Sequence, residues 1–90
     1  MSNEKLKPRW TEPQGQYLAF IYTYELLHDR APSEAEMQAF FRVSPPSAHR
    51  MVVELEKKQL IKRTPGAARS IKLLVRADEI PRLKRVSKSR

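Results

Sequence analysis

Ninety residues give one domain with a single core, burying roughly 60% of the surface exposed by the unfolded chain. There is no cysteine, which excludes a disulfide framework, a thiolate metal site and a cysteine nucleophile. The formal charge is +8 and unevenly placed: residues 13–41 carry one arginine against four acidic groups, and residues 42–76 carry nine basic groups against two acidic ones. A slightly acidic first half and a strongly basic second half point to a polyanion-facing side. The plainer reading, that lysine and arginine only keep a small domain soluble, does not account for charge that coincides with the helix and hairpin below. The longest apolar runs, such as Leu73-Leu74-Val75, are too short to span a bilayer, and the N-terminus lacks a signal-peptide core. A cytoplasmic, nucleoid-associated protein is expected, with no membrane partner.

In chain order, residues 1–10 read as a flexible N-terminus. Trp10 is expected to pack on the domain, with nucleic-acid stacking as the alternative. Thr11-Glu12-Pro13-Gln14 is a helix start: a threonine cap, a proline in the first turn and a glutamine at the capping-box position. The first helix should run to about His28, with Tyr17, Leu18, Phe20, Ile21, Tyr24 and Leu27 on its apolar face. His28 suits a helix C-terminus better than a metal, since no ligand cluster surrounds it. Asp29-Arg30-Ala31-Pro32 is a connector that Pro32 closes to further helix. Ser33-Glu34-Ala35-Glu36 is a full capping box, and Met37, Phe40 and Phe41 form the buried stripe of the second helix.

Phe41-Arg42-Val43-Ser44 is read as the turn between two helices. Many such turns place glycine where one residue takes a left-handed conformation, and here Arg42 stands at that position at a cost of roughly 1 kcal/mol. Ser44-Pro45-Pro46-Ser47 starts a third helix ending near Lys58 or Gln59, where glycine commonly stands. Ala48, Met51, Val52 and Leu55 recur at helical spacing and should be buried. The opposite face presents Pro46, Ser47, His49, Arg50, Val53, Glu54 and Lys57, polar, cationic and short-chained at its N-terminal end. Such a helix can enter a DNA major groove and still pack on a domain.

Residues 60–64 and 70–75 look like two strands around a Pro65-Gly66 turn, with Ala67-Ala68-Arg69 lengthening the loop. A basic hairpin after such a helix is a wing. The expected fold is therefore mainly α with a small β-hairpin, a winged helix-turn-helix over residues 11–75. Residues 76–90 read as a basic flexible tail adding nonspecific DNA affinity, with a dimerisation segment using Ile80, Leu83 and Val86 as the competing idea.

The Ser44-Pro45 helix start, Leu60-Ile61, and the hairpin Gly66-Ala67 with Arg69-Ser70-Ile71-Lys72-Leu73-Leu74 resemble the N-terminal DNA-binding domain of the LexA repressor, over roughly residues 11–75. The resemblance implies a duplex-DNA-binding transcriptional regulator that reads bases through the first turns of the third helix. By position the base-contacting residues are Ser44, Pro46, Ser47, His49 and Arg50. Pro46, His49 and Arg50 depart from the family's residue types, so the SOS operator is not the expected site. The family's self-cleaving serine–lysine protease and dimerisation half has no counterpart in the 90 residues, and Ser87-Lys88 lacks the folded site a dyad needs. No self-cleavage is expected.

Among the candidates, Arg50 can donate two bonds to guanine O6 and N7, worth about 1–3 kcal/mol of discrimination, or contact a phosphate instead. Ser47 can reach a base or a phosphate. His49 can donate to guanine or a phosphate and add pH dependence. Arg42, Lys57, Lys62, Arg63, Arg69 and Lys72 are the expected backbone contacts, and a homodimer on DNA would supply the second half-site that tight specific binding calls for. No cofactor is implied. An enzyme is disfavoured by the absence of a phosphate-cradling glycine loop, of an evident carboxylate pair and of a histidine cluster. The alternatives kept open are a winged-helix protein-interaction module, a nonspecific architectural nucleic-acid-binding protein and, less so, RNA binding.

Overall fold

The computed structural model describes residues 9–86. Three helices, α1 (Glu12–His28), α2 (Glu34–Phe41) and α3 (Pro45–Lys57), precede an antiparallel hairpin of β1 (Ile61–Lys62) and β2 (Lys72–Leu73). One 3-10 turn, Ala77–Glu79, follows. This is the winged helix-turn-helix arrangement read in the sequence. The paired strands are shorter than the two apolar runs suggested, two residues each, although Leu74 N–H extends the hairpin by donating to Leu60 O at 2.9 Å.

All three helices begin at the caps the sequence advertises. The Thr11 hydroxyl accepts from Gln14 N–H and the Gln14 side chain accepts from Thr11 N–H, while Ser33 and Glu36 form the same reciprocal pair at α2. Ser44 caps α3 by accepting from Ser47 N–H. Three helix ends turn on non-glycine residues at positive φ: Asp29 at 61°, Arg42 at 58° and Gln59 at 62°. At α3 the end is a Schellman motif, with Leu60 N–H reaching Leu55 O and Gln59 N–H reaching Glu56 O. Gln59 and Arg42 thus keep the left-handed turns that glycine would occupy at lower cost.

The core joins one face of each helix to the inner side of the hairpin. Leu18, Ile21, Met37, Val52, Leu55, Leu60 and Ile61 are buried, and Ile71 closes the cluster. Around it Tyr17 stacks on Phe41 with centroids 4.1 Å apart, and Phe20 on Phe40 at 4.8 Å. The expected apolar faces hold in outline: Phe40, Phe41 and Met51, read as buried, are half-buried against the cluster, and Leu27 lies outside it. Leu27 is 74% exposed, because the surface it shares with Tyr24, Phe40 and Leu83 is an open hollow rather than part of the packed core. No helix among the described residues is long and apolar enough to cross a membrane.

Two capping residues also tie distant elements together. Gln14 is 6% exposed; its amide donates to Glu54 Oε1 on α3, and its carbonyl accepts from Lys58 Nζ at 2.7 Å. Glu36 accepts from Ser33 N–H, from Tyr24 Oη at 2.8 Å and from both Arg69 terminal nitrogens at 3.0 and 2.9 Å. Arg69, itself at φ 53°, also donates to Ala31 O at 3.1 Å. The wing loop is thereby pinned to the junction of α1 and α2. Its tip is a tight turn in which Ala67 N–H returns to Thr64 O and Gly66 supplies the positive φ of 76°. Ser70 Oγ closes the loop base, accepting from Thr64 N–H and donating to Thr64 O.

Of the expected flexible tail, residues 76–86 are described, and they make contacts with the domain. They cross α1 as a strap, with Gln16 donating to Arg82 O at 2.9 Å and accepting from Lys84 N–H at 2.7 Å. Lys84 Nζ pairs with Glu12 at 2.8 Å, Arg9 with Glu79 at 3.3 Å, and Leu83 packs against the core. Trp10 packs beneath: a Cβ added at Gly15 would meet its ring at 2.9 Å and Pro81 at 3.1 Å, so only glycine lets ring and strap lie this close to α1. The reading of Trp10 as a packing residue therefore holds. Ser87 and Lys88 lie outside the described residues.

Two outcomes follow. Gln59→Gly should raise unfolding free energy by about 0.5–1 kcal/mol with an unchanged circular dichroism spectrum, because the left-handed turn is already made. Glu36 is held well below the ordinary carboxylate range, at about 2, first by Arg69 and then by Ser33 N–H. Its folded-state value lies below its unfolded one, so its contribution is complete above about pH 4.5 and fades as pH falls toward 2. Glu36→Gln should lower the midpoint of unfolding at neutral pH, with the gap to the unaltered protein closing across that acid window. A gap independent of pH would contradict the assignment.

Candidate nucleic-acid interface

α3 is buried along Ala48, Val52 and Leu55, so the remaining positions divide into an outer ridge and two flanks at about 100° per residue. Pro46, Arg50, Val53 and Lys57 form the ridge. All but the half-buried Val53 are exposed. Short side chains near the N-terminal end leave the ridge able to approach a flat or grooved partner closely.

The start of α3 is not itself an anion site. Pro45 and Pro46 have no N–H, and the Ser47 N–H is taken by Ser44 Oγ at 3.3 Å. Ser44 also donates its hydroxyl proton to Ser47 Oγ at 3.1 Å. Whatever specificity this end carries comes from side chains, not from a helix terminus.

One flank faces the wing. His49 Nδ1 sits 3.1 Å from Glu34 Oε2, Glu34 lies 3.5 Å from Arg63, and Arg63 makes two bonds to Glu56 Oε1 at 3.1 and 2.8 Å. This chain links the first turn of α2, both ends of α3 and the end of β1. The other flank, Ser47, Met51 and Glu54, lines a hollow with Pro13, Tyr17, Phe41 and Arg50 at the start of α1.

The predicted site residues therefore fall into two groups. Arg63, Arg69 and His49 are engaged with carboxylates of their own chain. Arg42, Arg50, Lys57, Lys62 and Lys72 are exposed and have no hydrogen-bond or ion-pair partner among the described residues. Lys62 and Lys72 stand directly opposite one another in the hairpin register, while the paired Ile61 and Leu73 turn toward the core. Both are exposed, and like charges directly opposite one another on a strand pair are in general mildly unfavourable. Sequence reasoning picked out both lysines but not their opposition, which only the register reveals. It missed Glu34, Glu36 and Glu56 as the partners that occupy three of the candidate side chains. No group of three metal-ligating side chains that could hold an ion occurs among the described residues.

Comparison with known proteins agrees with the resemblance in the residues. The chain is 39% identical over 70 residues to the LexA repressor of Thermosipho melanesiensis, and 36% identical over 70 residues to that of Thermosipho africanus. Each match covers 78% of this chain and 35% of the relative, so the chain spans about a third of the length of the curated relatives it matches. No family model matches it. The chain, folded as three helices followed by a two-stranded antiparallel hairpin, is LexA-like in sequence over the length of one winged helix-turn-helix domain.

Proposed function

We propose that this domain binds duplex DNA sequence-specifically as the reading head of a transcriptional regulator. In this reading α3 lies in the major groove and the hairpin lies on the backbone. The carrying observation is the placement of exposed, unpartnered cations on the α3 ridge and its surroundings, with Lys62 and Lys72 held against each other on the wing. An arrangement that is unfavourable in the free protein becomes favourable over phosphates. The similarity to repressors supports the same reading.

Roles follow from position. Arg50, on the ridge and one turn into the helix, donates to guanine O6 and N7. Ser47 and His49 flank it; His49 must leave or share Glu34 to reach a base. Ser44 and Pro46 shape the approach, with Ser44 holding the cap and Pro46 offering apolar contact. Arg42, Lys57, Lys62 and Lys72 hold phosphates, whereas Arg63 and Arg69 act as braces that set where the wing stands. With these four phosphates neutralised, binding should weaken with a log–log salt slope of about −3.6, roughly two orders of magnitude between 50 and 200 mM. A single domain covers one half-site, so a second copy on a two-fold operator would supply the rest.

The test is selection from a random duplex pool, with anisotropy across a salt series. An enriched motif with a steep salt slope is expected, and Arg50→Ala should lose about 1–3 kcal/mol on that motif while relaxing preference at one base pair. Salt-dependent binding without a motif would instead make the domain architectural. No binding at 50 mM salt would favour protein docking. Lys62→Ala should move two readouts oppositely, raising stability of the free protein by about 0.2–0.5 kcal/mol while flattening the salt slope by about one. A stability loss on that substitution would remove the electrostatic argument.

A further inference from the structure

The strap is placed where a second backbone contact would be. Wing and strap lie on opposite flanks of α3. The wing side is defined by Arg63 on Glu56 and by His49 and Arg63 on Glu34. The strap side is defined by the start of α1: Gln14 joins Glu54 and Lys58 there, and Ser47, Met51 and Glu54 share a hollow with Pro13, Tyr17 and Phe41. Those last three residues also line the adjoining hollow together with Arg85 and Val86. The strap thus delivers Arg85 to the border of the surface that continues to Arg50, on the side the wing does not reach.

That delivery is built rather than incidental. The Gln16 amide holds the backbone on both sides of Leu83, accepting from Lys84 N–H and donating to Arg82 O. Leu83 anchors in the core cluster, Lys84 is held by Glu12, and Gly15 leaves room for Trp10 and Pro81 beneath. Fixing an extended segment this way removes backbone freedom costing about 1–2 kcal/mol per residue, and a phosphate contact made afterwards does not have to order it again. Arg82 and Arg85 remain exposed, with no ion-pair partner among the described residues.

We propose that the strap over residues 80–86 is a second DNA-backbone arm, with Arg85 contacting a phosphate on the flank of α3 opposite the wing. The ligand chemistry is a duplex phosphate backbone straddled by the two arms, with α3 between them. This rests on the DNA-binding reading above and extends the contacted backbone beyond what helix and wing cover.

The test uses the full chain with a duplex carrying its selected site, compared by salt titration and hydroxyl-radical footprinting. Arg85→Ala should reduce the log–log salt slope by about 0.9 and weaken binding several-fold. It should remove protection at one edge of the footprint, and Lys62→Ala should remove it at the other. Gln16→Ala, which unfastens the strap but keeps every cation, should blur the Arg85 edge while leaving the Lys62 edge intact. Thermal unfolding of both variants confirms that the domain still folds. An unchanged slope and footprint for Arg85→Ala, or loss at the same edge as Lys62→Ala, would overturn the proposal while leaving the DNA reading standing. Absence of any duplex binding by the unaltered chain would defeat that reading first, and the strap's role with it.

Discussion

Helix capping carries more of this fold than its local energy suggests. In a capping box the third residue normally serves only the start of its own helix. Here Gln14 and Glu36 sit in that position and also bind side chains from elsewhere in the chain: Gln14 holds α3 through Glu54 and Lys58, and Glu36 holds the wing loop through Arg69 and α1 through Tyr24. The orientation of the third helix and of the hairpin is thus referred to the two helix starts, which are fixed by short-range hydrogen bonds. A domain of this size buries only a modest core, and such double use of polar groups supplements it.

The same economy governs charge. A strongly basic half would repel itself, and the protein answers by dividing its cations. Arg63 and Arg69, whose planar guanidinium groups suit two-bond contacts, are paired with Glu56 and Glu36 and set geometry. The lysines of the hairpin and the arginines of the turn and ridge remain exposed, available to a polyanion. Charge alone therefore does not report pairing: two of the wing's arginines hold carboxylates of their own chain.

The turns show why residue type and conformation must be read together. Arg42 and Gln59 occupy left-handed positions that in comparable turns are glycine, and the chain adopts the turns anyway. At Arg42 a side chain at the mouth of the helix-turn-helix gains a cation beside α3 in exchange for backbone strain. The turn geometry is kept because Val43 and Leu60, one residue beyond, donate back to Gln38 and Leu55 and close the helix ends.

Much of the architecture was legible without coordinates. Ser or Thr caps with prolines in the first turn, the spacing of Ala48, Val52 and Leu55, and Pro65-Gly66 between apolar runs are local signals, and local hydrogen bonding and side-chain periodicity decide them. Leu27 escaped that logic, since periodicity reports which face is apolar and not how closely the neighbouring elements pack over it. The braces on Arg63 and Arg69, the opposition of Lys62 to Lys72, and the fastening of residues 76–86 over α1 were not legible. Each joins residues that are remote in sequence or depends on strand register. The sequence by itself determined the helices, the turns and the basic surface, because these follow from neighbours a few residues apart. Only the tertiary structure decided which cations are spent on holding the wing and which remain exposed, because that depends on which carboxylates the packed helices bring within reach.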